Sequence, residues 1–95
     1  MYIHVFAFRW KAGTSESEKQ RVAADIVGFQ GKIAGLLETH VGTNDSPRGQ
    51  GYTFGGVMKF VDRAAFDAYG PHPRHQALLS WLLPLIDPLE LDFEA

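Results

Sequence analysis

The stretch Tyr2-Ile3-His4-Val5-Phe6-Ala7-Phe8-Arg9-Trp10 sets the fold. Aromatic and β-branched residues fill it, and successive side chains of a strand point to opposite faces. One face therefore carries Tyr2, His4, Phe6, Phe8 and Trp10, the other Ile3, Val5 and Ala7. Both are largely apolar, so both need a cover.

Outward from this strand, Thr14 and Ser15 offer N-caps, and Ser15-x-x-Glu18 reads as a capping box opening a helix. That helix is predicted from about Ser15 to about Ile33, with Val22, Ile26, Phe29 and Ile33 as its buried stripe and Gly28 and Gly31 weakening its last turns. Leu36 to Val41 forms a second strand, and Gly42 to Gly51 is an exposed connection dense in turn formers. Tyr52 to Val61 is a third strand. Tyr52, Phe54, Gly56, Met58 and Phe60 share one of its faces, and Gly55-Gly56 is read as leaving space.

Asp62 caps a short helix through Tyr69, which Gly70 in a left-handed conformation and Pro71 end. Pro73 opens another helix carrying Ala77, Leu78, Leu79, Trp81, Leu82 and Leu83 until Pro84. Finally Leu89, Leu91 and Phe93 alternate with Glu90, Asp92 and Glu94, a strand with one solvated side, and the acidic tail from Asp87 to Glu94 is assigned to that side.

The order strand, helix, strand, strand, helix, strand is the ferredoxin-like βαββαβ arrangement, an α+β fold with a four-stranded antiparallel sheet, and residues 1–95 are read as one domain. Two helical segments cover one face of such a sheet. The other face of strands one and three has no cover within the chain, which predicts a homodimer whose sheets close into an α+β barrel.

Composition narrows the function classes. The net charge is −2 and the nine Lys and Arg residues are scattered, which argues against nucleic acid as a partner. There is no cysteine, hence no disulfide, thiolate nucleophile or Cys-based metal site. No run approaches the ~18 apolar residues of a membrane span, and residues Met1 to Trp10 do not resemble a signal-peptide core, so a cytoplasmic protein without membrane association is expected. No phosphate-binding glycine loop and no haem or flavin signature is visible, so no cofactor is expected.

Features spread over nearly the whole chain resemble the stress-responsive A/B barrel family, the Dabb domain. They are Ile3-His4-Val5-Phe6, Phe8-Arg9-Trp10-Lys11 before the capped helix, Ile33-Ala34-Gly35-Leu36, Gly42-Thr43-Asn44, Asp92-Phe93 and, most specifically, Phe66-Asp67-Ala68-Tyr69-Gly70-Pro71-His72-Pro73-Arg74-His75. The resemblance implies a dimeric α+β barrel. It also implies a relation to plant polyketide (olivetolic acid) cyclases, in which a tyrosine and a histidine matching Tyr69 and His75 drive an aldol condensation and a further pocket histidine matches His4. Those cyclases carry another histidine where this chain has Phe54, and bulkier side chains at Gly56 and Gly70.

Read from the residues, a strand-one aromatic face lying under the helices sends His4 into the gap where Tyr69 and His75 also project. Phe6, Phe8, Val22, Ile26, Phe54, Met58 and Leu78 would then line an apolar pocket for a small hydrophobic or aromatic ligand, with room beside Gly56. Histidine takes and returns a proton near neutral pH, and a tyrosine hydroxyl can orient it or donate to an oxyanion, which suits enolate, cyclase or lyase chemistry. Each group also has a plain structural reading: His4 as a satisfied core histidine, Tyr69 as a packing residue with its hydroxyl tied to backbone, and His72 as a turn or cap residue at the pocket's edge. His4, His72 and His75 do not form a convincing metal site, since no carboxylate beside them completes a ligand set. A non-catalytic, ligand-carrying dimer is the competing reading.

Overall fold

The structure is a computed structural model describing all residues from Met1 to Ala95. The elements run β1 (Tyr2–Trp10), α1 (Glu16–Val27), β2 (Leu36–Thr43), β3 (Phe54–Phe60), α2 (Arg63–Tyr69), α3 (Pro73–Leu82), a single 3₁₀ turn (Leu83–Leu85) and β4 (Ile86–Glu94). The strands form one antiparallel sheet in the order β2-β3-β1-β4, the ferredoxin-like βαββαβ topology expected from the sequence.

Local chemistry accounts for the element ends. Ser15 caps α1 through a complete capping box, its hydroxyl accepting from the Glu18 N–H while the Glu18 carboxylate accepts from the Ser15 N–H. α1 stops at Val27, six residues before the predicted end, because the chain turns at Gly28 and enters a left-handed conformation at Gly31 (φ 81°) that a helix cannot contain. The predicted stripe nevertheless survives: Val22 and Ile26 on the helix and Phe29 and Ile33 in the following turns are all buried. Asp62 caps α2 by accepting from the Ala65 N–H. Gly70 after α2 is right-handed (φ −49°, ψ −58°), not left-handed as predicted, so Pro71 ends that helix by withholding an N–H.

All helices lie on one face of the sheet. There Tyr2, His4, Phe6 and Phe8 of β1 and Phe54, Met58 and Phe60 of β3 meet Val22, Ile26, Tyr69, Leu78 and Leu82 in a single core. Burying each such side chain contributes about 1.5–3 kcal/mol.

The predicted orientation of β4 is corrected by its register. Tyr2 pairs with Glu94, His4 with Asp92 and Phe6 with Glu90, and directly opposed residues in an antiparallel pair share a face. The carboxylates therefore stand on the helix-covered face, while Leu89, Leu91 and Phe93 stand on the open one at 54%, 61% and 43% exposure. Ile3, Val5 and Ala7 of β1 and Val57 of β3 share that open face, giving a continuous apolar stripe across three strands.

Candidate functional site

Three elements bring their polar side chains to one place. His4 sits near the start of β1, opposite Met58 on one side and Asp92 on the other. Tyr69 is the last residue of α2, and His75 lies in the first turn of α3, the two helices being joined through Gly70-Pro71-His72. The Tyr69 and His75 rings face each other with centroids 4.2 Å apart, and the His4 and Tyr69 centroids are 6.3 Å apart.

Hydrogen bonds fix which atoms remain free. His75 Nδ1 lies 2.8 Å from the Gly70 carbonyl, which can only accept, so Nδ1 carries the proton and Nε2 is left as an acceptor in the neutral ring. Burial holds His75 below its ordinary pKa, the nearby His4 adding to the effect and the Gly70 bond and the Glu90 charge opposing it. His4 Nδ1 lies 2.5 Å from Asp92 Oδ1, which likewise leaves His4 Nε2 free. The Tyr69 hydroxyl is pushed well above its ordinary pKa, chiefly by burial and then by the negative charge of Glu90, so it stands as a neutral donor.

Neither Nε2 nor the Tyr69 hydroxyl hydrogen-bonds within the chain, yet no buried side-chain polar atom is left unpartnered. Each of the three therefore reaches open space. The structural reading of Tyr69 as tied to backbone does not hold.

The space they reach is a cavity of about 70 Å³ between sheet and helices, lined by His4, Phe6, Phe8, Ile26, Met58, Tyr69, His75 and Leu78 of the expected residues. Leu79, Leu82, Leu83, Ile86, Pro88 and Glu90 complete it. Leu83, Pro88 and Glu90 are exposed and form its mouth.

Four expected lining residues lie elsewhere. Val22 is completely enclosed in the core. Phe54 stacks on Phe8 at 5.7 Å and faces a separate, wider groove of about 500 Å³ that it shares with Trp10 and Lys19. Gly56 offers no room: a Cβ there would run first into the His40 carbonyl oxygen of the neighbouring strand, and would lie 2.8 Å from Phe6 Cζ and 2.9 Å from Val41 Cγ1. His72 is the N-cap of α3, its Nδ1 accepting from the Arg74 N–H at 3.1 Å.

Sequence reasoning missed Asp92 and Glu90. It placed the acidic tail in solvent and found no carboxylate near the histidines, whereas Asp92 binds His4 and Glu90 lines the cavity. The nine-residue lengths of β1 and β4 allow an in-register pairing that puts these carboxylates beside His4 and Phe6, but alternation alone does not say which face of β4 turns inward. No three His, Cys, Asp or Glu side chains are arranged to hold a metal ion, His72 being occupied as a helix cap.

The fold is shared with known structures. A Dabb family protein with a ferredoxin-like fold from Mesorhizobium loti is 28% identical, with TM-score 0.83 over 99% of this chain and 95% of its own. A dimeric ferredoxin-like protein of unknown function from Jannaschia sp. is 25% identical, with TM-score 0.87 over 99% of this chain and 98% of its own. The hydroxynitrile lyase of Passiflora edulis, at 21% identity, matches in fold with TM-score 0.88 over 97% of this chain and 90% of its own. No curated protein matches the sequence. The family model described as the stress responsive A/B barrel domain, Dabb, matches residues 3–95. This chain belongs to that family.

Proposed function

We propose that this chain is a homodimeric, cofactor-independent acid/base enzyme, a lyase or cyclase that makes or breaks a carbon–carbon bond beside a carbonyl in a small apolar or aromatic molecule. The observation that carries this reading is that His4, Tyr69 and His75, each with a polar atom that has no partner within the chain, line one cavity whose other walls, Glu90 apart, are apolar.

The chemistry follows from the protonation states. His75, neutral and with Nδ1–H held by Gly70, takes a proton onto Nε2 from the carbon next to the carbonyl, or from a hydroxyl in the cleavage direction. Negative charge then grows on the substrate oxygen. The neutral Tyr69 hydroxyl donates to it in surroundings where water is sparse, which strengthens the bond. In the bond-making direction the enolate carbon then attacks a second carbonyl, whose oxygen takes the proton back from His75; in the cleavage direction the alkoxide collapses to a carbonyl, the C–C electron pair leaves on the departing enolate or cyanide, and that fragment takes the proton from His75. His4, its Nδ1 held by Asp92, turns its free Nε2 to the substrate as a second polar contact that orients it.

That a hydroxynitrile lyase uses the same fold supports lyase chemistry as compatible with this scaffold. Homodimerisation is supported by the exposed Leu89, Leu91 and Phe93 beside Ile3 and Val5, and by the dimeric state of several structural neighbours. The few polar groups in the cavity also favour a second reading, a non-catalytic carrier of a small apolar ligand.

The test is a screen of aromatic and aliphatic cyanohydrins, β-hydroxyketones and methyl ketones for turnover, followed by His75→Ala and Tyr69→Phe. Loss of about 10²–10⁴-fold in kcat/KM with an unchanged circular dichroism spectrum supports the mechanism. Parental turnover in His75→Ala removes it. Thermal stabilisation by a ligand that is never converted favours the carrier.

A further inference from the structure

The polar inventory of the cavity contains its own statement about substrate charge. Four of its lining residues are polar or titratable: His4, Tyr69, His75 and Glu90. No lysine or arginine lines it. Of the three β4 carboxylates on this face, Asp92 is engaged by His4 and Glu94 lies 3.9 Å from the N-terminal ammonium of Met1, whereas the Glu90 carboxylate forms neither a hydrogen bond nor an ion pair within the chain.

Glu90 is held in place by the sheet rather than by a partner. Its register position opposite Phe6 puts it on the helix-covered face, where it is an exposed member of the same cavity lining as His75, so a ligand at His75 lies in a cavity that also holds a carboxylate. A carboxylate is acceptor-only and negatively charged. It attracts a hydroxyl or ammonium group and repels an anion, with a strength that solvent at its exposed position moderates. Its influence on the interior is visible at both neighbours, since its charge acts to raise the Tyr69 and His75 pKa values together.

We propose that Glu90 is a specificity-determining residue that restricts the cavity to small non-anionic ligands bearing a hydroxyl or amino donor, and excludes carboxylates. The inference rests on the ligand-binding reading of the cavity given above. Free acids are disfavoured twice, by repulsion from Glu90 and by the absence of any lysine or arginine to receive them, while a neutral hydroxy-carbonyl compound or an amino alcohol meets an acceptor in Glu90 and a donor in Tyr69.

The experiment uses three probes of one shape, 2-methylpropan-1-ol, 2-methylpropan-1-amine and 2-methylpropanoate, titrated at pH 7.5 against the full chain. Binding is read from the NMR shifts of the His75 and Tyr69 ring protons. The parent protein is expected to bind the alcohol and the ammonium at least about tenfold more tightly than the carboxylate, a difference of ~1.4 kcal/mol. In Glu90→Gln the ammonium weakens and the carboxylate gains, each by about threefold to tenfold, and Glu90→Lys inverts the order of the two ions. Carboxylate binding equal to alcohol binding in the parent, or an ion preference indifferent to both substitutions, overturns the role of Glu90 while leaving the cavity as a binding site. Absence of binding by all three probes overturns both readings together.

Discussion

His4 Nδ1 and Asp92 Oδ1 meet at 2.5 Å across the β1–β4 pair, joining a buried residue of an inner strand to its partner on an edge strand. The His4 side chain is 8% exposed and that of Asp92 26%, so the bond lies largely out of water and its loss strands a buried donor. Asp92→Ala is expected to cost about 1–3 kcal/mol, lowering the melting temperature by roughly 5–15 °C for a domain of this size. Asp92→Asn keeps an accepting oxygen and should recover most of that loss. Thermal unfolding followed by circular dichroism measures both, and an alanine variant melting with the parent would show that the bond contributes nothing.

The second prediction concerns pH. His75 has a folded pKa below its value in the unfolded chain, mainly through burial. Between the two values the unfolded chain binds more protons, so stability rises with pH: the contribution is present above the ordinary histidine range near ~6.5 and is lost as pH falls through the lower folded value. His75→Gln removes that dependence while keeping a side-chain donor for Gly70. Urea denaturation from pH 7.5 down to pH 5 should show the parent's stability relative to the variant declining as the pH drops. A gap that stays constant, or widens toward acid, contradicts the assignment.

The open sheet face yields a third. Leu91 is 61% exposed within one chain, where lysine would be nearly neutral, within about 0.5 kcal/mol, and well suited to an edge strand. In a homodimer covering that face, Leu91→Lys buries an unpaired charge instead. Sedimentation at micromolar concentration is expected to show a dimeric parent and a largely monomeric variant. A parent that sediments as a monomer removes the dimer, and an unaffected variant dimer moves the interface elsewhere.

Period and capping signals made most of the architecture legible. β1 declared itself through the alternation of Tyr2, His4, Phe6 and Phe8, and the capping box at Ser15 and Glu18 located the start of α1. Information held by tertiary pairing was not legible. The alternation of Leu89, Leu91 and Phe93 with Glu90, Asp92 and Glu94 is symmetric with respect to the question of which set faces the helices, and only the pairing of His4 with Asp92 answers it. The candidate site divides in the same way. His4, Tyr69 and His75 were visible as residue types at a recognisable turn, but Asp92 and Glu90 become neighbours only when the last strand returns beside the first. Gly56 misled for a related reason, because an absent side chain is no space once the His40 backbone of the neighbouring strand and the side chains of Phe6 and Val41 stand against it.

Two other glycines allow packing and backbone costs to be separated. Gly31 and Gly35 share a left-handed φ of 81°, so alanine at either meets the same backbone penalty of about 1–2 kcal/mol. Their surroundings differ. A Cβ on Gly31 would have nothing within 4 Å, whereas one on Gly35 would lie 2.5 Å from Ala65 Cβ and 3.2 Å from Val61 Cγ1, where the chain entering β2 passes against the start of α2. Ala65 has no rotamer with which to withdraw, so α2 itself must shift, an overpacking cost of roughly 1–3 kcal/mol. Gly35→Ala should therefore be less stable than Gly31→Ala by about that amount in urea denaturation. Because α2 carries Tyr69, the same variant should also move the Tyr69 ring-proton resonances, which Gly31→Ala leaves in place. Equal stability of the two variants would mean that the contact between Gly35 and Ala65 is loose enough to absorb a methyl group, and that α2 does not depend on it for its position.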